Sequence, residues 1–581
     1  PVDYLKLFPE AKDRNPPKGY FFRGVVRATP ISINSERLQE FSKRVGRRDS
    51  LERGESFAIY VSPGRLPSGQ PFVCDRYQPE IVSNAADLVS RAHAYGCGKA
   101  LEEALEHLKR QSAGLKSRGF RLPVIVLLAA RRPLHLIGSD SNIEIVPYLV
   151  EMSAPAFTEP PEKIEVYPVA LRQAISKELL SRLSGVRAAD DRNIVQLGCG
   201  SLGSKIAMHL ARAGIAPARV VDKRSLSPHN AARHALIPCN EQFQIFWMAP
   251  KATALAEAIQ GLGQDTDAVD ADVASIGNDS ARLHKSIPRK TWAVVNSTAS
   301  LAVRETLAGL KPELMSSRVI ETSLYADGDI AVLTIEGPDR NPDTADLILE
   351  TYEHIRSDPM LRDRFFGGGL QRREIGQGCG SVTMTVSDAV ISLFAAAMAN
   401  KIQTLRQTEL PSTAQILVGR ISTDGMGLHW SADDVASFHV VRAENDRSWH
   451  IRISPRAHAK IMEDIARHPD TETGGIVVGA LSEYRKTITI TDVLPAPPDS
   501  RRSAGAFVLG TQGVSKSLDD YSASTSHALY CVGTWHSHLA DTGGSARDYA
   551  TSKIIAAEAS MPSVLLIRTP LAYRAILALD K

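Results

Sequence analysis

Residues Asn193–Asp222 read NIVQLGCGSLGSKIAMHLARAGIAPARVVD, and they decide the fold class of the middle of the chain. Asn193–Leu197 is a short apolar run of strand type. Gly198-Cys199-Gly200-Ser201-Leu202-Gly203 follows at once, then an amphipathic helix over Lys205–Ala213 and a second strand over Ala218–Val221. That is one strand–helix–strand unit within thirty residues. The glycines permit a tight turn and let backbone approach a phosphate at a helix amino terminus. Nineteen residues after Gly203, Asp222 ends the second strand, where a carboxylate can accept from ribose hydroxyls. These features alone predict a nucleotide or dinucleotide site and also fit an NAD-dependent oxidoreductase.

The residues downstream turn the reading away from hydride chemistry. Asn230 and Arg233 follow Asp222, and Lys251 lies further on in Ala249-Pro250-Lys251-Ala252. A gathered arginine and lysine suit a triphosphate. The set resembles the adenylation domain shared by ubiquitin-activating enzymes and the adenylyltransferases of sulfur-carrier proteins, over roughly residues 185–430. The resemblance implies a Rossmann-like domain that uses ATP and Mg2+ to adenylate the carboxyl-terminal glycine of a small carrier protein. It implies Gly198, Gly200 and Gly203 around the phosphates, Asp222 on the ribose, and Asn230, Arg233 and Lys251 facing the phosphates. Cations fixed there stabilise the growing charge of the transition state more than the ground state.

Two departures stand against that pattern. Arg224 replaces the second aspartate of the family's D-x-D. In Val295-Asn296-Ser297-Thr298-Ala299-Ser300, Asn296 and Ala299 occupy the positions of the magnesium-site aspartates, with Arg304 at the family's arginine position. Magnesium at a triphosphate is normally held by a carboxylate. Further on, Cys379 is flanked by glycines in Gly376-Gln377-Gly378-Cys379-Gly380-Ser381, just before a helical stretch, Ser387–Thr404. A helix start lowers a thiol's pKa, and the resemblance makes Cys379 the nucleophile that takes the activated carboxyl as a thioester. Cys531 and Cys239 read as small buried core residues instead, and Cys74 and Cys97 lie in no defensible pattern.

The carboxy-terminal region carries a second constellation: Thr534-Trp535-His536-Ser537-His538, with Ser545 seven residues on and Asp548 three beyond that. Alternate residues of a strand point the same way, so His536 and His538 can hold one ion. Asp548, at a following helix start, completes three protein ligands and leaves a fourth zinc position for water. Upstream, Glu472-Thr473-Gly474-Gly475 precedes an apolar strand. The set resembles the JAMM (JAB/MPN) metallopeptidases, which cut after the terminal glycine of ubiquitin-like proteins. That resemblance implies a Zn2+ site on His536, His538 and Asp548. It makes Glu472 the general base on the hydrolytic water and Ser545 a donor to the oxyanion.

Working outward to the whole chain, 581 residues predict about three to five domains. The proline-rich Ser153–Lys163 and the polar segment Gln407–Ser437 divide it into three regions. The expected class is α/β multidomain. It comprises an α+β domain over 1–165, of docking or degenerate conjugating-like type, a Rossmann-like adenylation domain over 166–435 and an α/β JAMM/MPN domain over 436–581. In the first region only Val124–Leu128 reads as a buried strand and Ala100–Ser112 as a helix. Asp339–Gln371 reads as an insertion.

A charge of +3, from 68 basic and 65 acidic residues, gives no field for nucleic acid. No run reaches the roughly 18 apolar residues of a membrane span, and six cysteines without a C-x-x-C pair suit a reducing, cytoplasmic setting. The expected partners are a ubiquitin-like or sulfur-carrier protein ending in glycine, a separate conjugating-type protein and, by resemblance, a second copy of the chain. Three functions follow. One is carrier activation with cleavage after its glycine, as in bacterial ubiquitin-like modification systems, some of them linked by resemblance to phage defence. Another is sulfur-carrier activation for thiocarboxylate chemistry with release by the peptidase. The last is a non-catalytic nucleotide- or carrier-binding scaffold attached to the peptidase.

Overall fold

The computed structural model describes residues 19–28, 52–112, 121–137, 139–153, 159–168, 175–186, 192–237, 249–276, 279–367, 374–375, 382–383, 385–558 and 561–579. Two compact units arise, Pro1–Leu183 and Ser184–Lys581.

In the first unit, β1 (Gly19–Ala28), β2 (Glu52–Val61), β3 (Arg121–Arg131), β4 (Ile143–Ser153) and β5 (Val166–Pro168) form one sheet in that order. Only β2 and β3 run parallel, joined across helices α1 (Ala85–Ala94) and α2 (Gly98–Ser112). Val124, Val126 and Leu128 alternate inward and meet Leu88, Ala92 and Leu101 of the helices. Because β5 pairs with β4, the proline-rich Ser153–Lys163 is followed by a return to the same sheet. Helix α3 (Lys177–Leu183) ends the unit.

The second unit opens with β6 (Asn193–Leu197), α4 (Ser201–Arg212), β7 (Arg219–Asp222), α5 (Lys251–Gln260) and β8 (Asp267–Asp270). Then come α6 (Ser280–Ser286), β9 (Thr291–Asn296), α7 (Leu301–Gly309), β10 (Arg318–Tyr325) and β11 (Ile330–Ile335). Helices α8 (Thr344–Ser357) and α9 (Pro359–Phe365) precede a short hairpin of β12 (Glu374–Ile375) and β13 (Val382–Thr383), then α10 (Asp388–Gln407). Strands β14 (Ala414–Ile421) and β15 (Leu428–Val435) complete an eight-stranded sheet, ordered β15-β14-β11-β10-β9-β6-β7-β8.

β10, β9, β6, β7 and β8 are parallel, buried by helices on both faces and rich in valine and isoleucine. Strand order reverses between β6 and β9, which opens a crevice at their carboxyl ends, where such sheets bind ligands. The mixed α/β architecture with a Rossmann-like centre matches expectation. The polar reading of Gln407–Ser437 needs correction: it is a hairpin on the sheet edge, where the outer strand β15 is mostly exposed and carries charge. Within the expected insertion Asp339–Gln371, the described residues hold two helices, and α8 is largely buried.

The final sheet has seven strands, β16 (His439–Arg442), β17 (His450–Ile453), β18 (Gly474–Ser482), β19 (Thr487–Leu494), β22 (Tyr530–Ser537), β23 (Ser563–Arg568) and β24 (Tyr573–Ala578), ordered β16-β17-β19-β18-β22-β23-β24. β20 (Arg501–Ser503) and β21 (Ala506–Val508) make a separate hairpin. Helices α11 (Pro455–Arg467), α12 (Val514–Ala523) and α13 (Ala546–Glu558) accompany it.

Helix α8 joins the two sheets. Asp343, Asp346, Glu350 and Glu353 recur at spacings of three and four, so they share one helical face. Arg452 donates to Asp346 at 2.8 Å, Arg485 stands 3.5 Å from Asp343, and Arg456 stands 3.8 Å from Glu350. Glu353 accepts from Thr491 at 2.8 Å and from the Tyr521 hydroxyl. Each acid is buried and faces a group from the carboxy-terminal region. Losing one partner of such a pair leaves an uncompensated buried charge.

Candidate functional site

The glycine loop occupies the crevice of the eight-stranded sheet. Gly198 takes φ +84°, and a Cβ there would lie 2.9 Å from the backbone of Ser297 and Thr298. A Cβ on Gly203 would sit 2.0 Å from the Gly198 carbonyl oxygen. Only glycine fits either position. Gly200 caps α4, and a Cβ on it would meet nothing within 4 Å, so its backbone faces open space. Asp222 accepts from the Cys199 N–H at 2.7 Å and the Arg224 N–H at 2.8 Å, which ties the loop to the end of β7.

A residue that sequence reasoning missed supports this loop. His234 is buried; its Nε2 lies 2.8 Å from the Cys199 carbonyl, and its Nδ1 accepts from the Leu236 N–H at 3.2 Å. Burial pushes its pKa down to about 4, so the neutral tautomer donates through Nε2. Its place directly after Arg233 was the only sequence signal. Asn230 turns inward and accepts from the Ser227 N–H at 2.9 Å, closing the short helix turn Pro228–Ala232. Burial draws the Arg233 guanidinium below its ordinary range. Lys251 begins α5, buried, and desolvation lowers its pKa while Asp222 opposes the shift. The open backbone at Gly200, the two partly desolvated cations and the Asp222 carboxylate fit a nucleotide.

The segment Asn296–Ala299, where the resemblance expects the magnesium aspartates, supplies no carboxylate, so a magnesium ion here would need another acid of the site. The Asn296 carbonyl oxygen already accepts from the Thr298 N–H at 3.2 Å and the Thr298 hydroxyl at 2.7 Å. That bond fixes the amide orientation and leaves Nδ2 buried without a partner. Ala299, at φ +50°, has no ligand atom to offer. Arg304 is turned into a buried pair with Glu321 at 2.9 Å. Glu321 in turn accepts from the Thr344 hydroxyl at the start of α8.

Residues 173–410 match the ThiF family. The match covers the glycine loop, Asp222, Asn230, Arg233 and Lys251, and supports a ThiF-type adenylation domain at the centre of the chain. An uncharacterised protein, y4oA, of Sinorhizobium fredii is 36% identical over 81 residues, 14% of this chain and 13% of its own length. Among solved structures, E. coli MccB with ATP is 17% identical, covering 44% of this chain and 66% of its own, with a TM-score of 0.29. PaaA is 13% identical over 44% of this chain and 65% of its own, with a TM-score of 0.27. The chain thus spans under two thirds of the length of each. Cys379 and Cys239 lie outside the described residues of the ThiF domain and its neighbours. No helix among the described residues is long and apolar enough to cross a membrane.

The other constellation gathers at the end of β22. His536 and His538 bring their Nε2 atoms to 3.0 Å, and Asp548 sets one oxygen 3.3 Å from the first and the other 3.5 Å from the second. Among the described residues this is the one group of three or more such side chains whose ligand atoms converge, all within 4.8 Å. Tetrahedral zinc with bonds of about 2.0–2.1 Å separates its ligand atoms by roughly 3.3 Å, so the triangle fits that ion. The His538 Nδ1 lies 3.2 Å from the Thr542 hydroxyl, a partner that can orient the ring.

A cavity of about 330 Å³ opens over this triangle and is also lined by Glu472, Phe507 and Ser545. Burial raises the Glu472 carboxyl above its ordinary range, with His538 and His536 opposing and Asp548 reinforcing the shift. Ser545 caps α13: its N–H donates to Asp548 at 2.6 Å, and its hydroxyl oxygen accepts from the Asp548 N–H at 3.2 Å. Cys531, expected in the core, is exposed; a register shift in β22 opposite Val477 and Val478 rotates it outward.

Proposed function

We propose that the chain acts twice on one kind of carboxyl terminus. Its ThiF domain activates the terminal glycine of a small ubiquitin-like or sulfur-carrier protein with ATP. Residues 436–581 form a JAMM-type zinc peptidase that cuts after that glycine. The convergence of His536, His538 and Asp548 in one cavity with Glu472 and Ser545 carries the reading.

His536, His538 and Asp548 would hold a zinc ion, which when bound would supply Lewis acidity and lower the pKa of a water. Glu472 takes a proton from the attacking water and delivers it to the departing amine. The Ser545 hydroxyl donates to the carbonyl oxygen as it gains charge. The test is hydrolysis of a carrier extended beyond its terminal glycine. Glu472→Ala abolishes cleavage while zinc remains bound; cleavage near the wild-type rate removes Glu472 as the base.

In the ThiF domain, Arg233 and Lys251 neutralise phosphate oxygens at the open backbone of Gly200, and Asp222 receives the ribose. Cys379 then takes the carboxyl group as a thioester, for handover to a conjugating-type partner. A second reading has specific support. Asn296 and Ala299 take away the two carboxylates the resemblance expects for magnesium, which favours a ThiF domain that holds nucleotide or carrier without turnover. ATP–pyrophosphate exchange that depends on the carrier decides between them.

A further inference from the structure

We propose that Arg547 makes the carboxy-terminal site selective for a substrate carrying a carboxylate within two residues after the scissile bond. The reaction it selects is the trimming of a short carboxyl-terminal extension. This rests on the peptidase reading and adds its substrate class.

Arg547 is the one lysine or arginine lining the cavity over His536, His538 and Asp548. It is exposed, and among the described residues no acid pairs with it. Glu472 and Asp548 are the acids that line the same cavity, and among the described residues neither forms an ion pair with Arg547. Asp548 faces the two histidines.

Its position also opposes the stability of its own helix. Arg547 lies in the first turn of α13, between the capping Ser545 and Asp548. The helix dipole favours anions there and disfavours cations. A cation that gains nothing from its helix and has no partner, at the rim of a reactive cavity, is placed to receive an anion from outside.

The chemistry of the cut says which anion. Hydrolysis breaks the C–N bond after glycine; water gives OH to the carbonyl carbon and hydrogen to the leaving amine. When the extension is one or two residues, its terminal carboxylate lies within about 7 Å of that bond, because an extended residue spans roughly 3.3–3.6 Å. The long, flexible arginine side chain can follow a carboxylate over such a distance, and its guanidinium pairs with it through two parallel hydrogen bonds. A protein joined through a lysine side chain presents no such carboxylate.

The experiment compares two peptides ending Gly-Gly-Ala, one with a free terminal carboxylate and one amidated, on the zinc-loaded full chain. The free acid is expected to give a kcat/KM about tenfold or more above the amide. Arg547→Ala is expected to bring that ratio to about one at unchanged zinc content, and Arg547→Lys to restore part of it. Equal cleavage of both peptides by the wild-type chain, or an unchanged ratio in Arg547→Ala, overturns the role of Arg547 and leaves the peptidase reading standing. Cleavage of neither peptide by the zinc-loaded chain overturns the peptidase reading, and this one with it.

Discussion

Ser537 and Thr473 hold each other by two hydrogen bonds: the Thr473 N–H donates to the Ser537 hydroxyl at 2.9 Å, and the Ser537 N–H donates to the Thr473 carbonyl at 2.7 Å. Ser537 lies between His536 and His538, and Thr473 follows Glu472. The clamp therefore sets the position of the carboxylate against the two histidines. Arg502 of the β20–β21 hairpin adds a third tie, donating to the Thr473 hydroxyl at 3.0 Å.

Ser537→Ala leaves the buried Thr473 N–H unpaired, at a cost of about 1–3 kcal/mol. We expect a lower kcat for carrier cleavage, unchanged zinc content, and recovery in Ser537→Thr, which keeps the hydroxyl. If Ser537→Ala cleaves at the wild-type rate, the clamp has no role in placing Glu472.

Zinc binding is expected to stabilise the second unit, because only the folded chain brings the three ligands together. At an ion concentration a hundredfold above Kd the gain is about 2.7 kcal/mol. Chelation should lower Tm, and His536→Ala should abolish the shift. An identical Tm with and without zinc would sink the metal site.

Gly200 and Gly203 separate nucleotide binding from folding. Gly200→Ala adds a methyl group to open space, so the fold should keep its Tm while ATP affinity falls about tenfold, as the phosphates lose close backbone. Gly203→Ala drives its Cβ against the Gly198 carbonyl and should cost about 1–3 kcal/mol of stability as well. Undiminished ATP binding by Gly200→Ala, measured by calorimetry, would place the phosphates elsewhere.

Glu350 makes stability pH-dependent. Burial raises its pKa to about 7, with Arg456 opposing the shift. A raised carboxyl favours the protonated folded state. Its contribution is fully present below the ordinary value near 4.5 and is lost as pH rises through 7, a change of roughly 3 kcal/mol. Denaturant titrations between pH 5 and 8 should show this decline, and Glu350→Gln should flatten it. A mutant with the same slope would show that another group titrates.

Much of the site was legible because its chemistry lies in short local patterns. Gly198 through Gly203 follow a strand and open a helix, so a phosphate turn could be read from the sequence. His536 and His538 alternate on one strand, which makes a shared ion readable from spacing. His234 was not legible, since nothing local distinguishes a histidine that supports a loop from any other. Nor was α8, which the sequence shows only as part of an insertion: the burial of Asp343, Asp346, Glu350 and Glu353 depends on the approach of Arg452, Arg456 and Arg485 from distant segments.

The sequence by itself determined the α/β class, the glycine loop, the side-chain types that converge at His536, His538 and Asp548, and the loss of acids at Asn296 and Ala299, because each depends on residue identity within a few turns of chain. Tertiary structure alone decided what those residues face. It turned Arg304 away from the crevice to Glu321, clamped Glu472 beside the histidines through Ser537, and left Arg547 unpaired at the cavity rim. Pairing, burial and desolvation depend on segments far apart in the chain, and those came together only in the folded molecule.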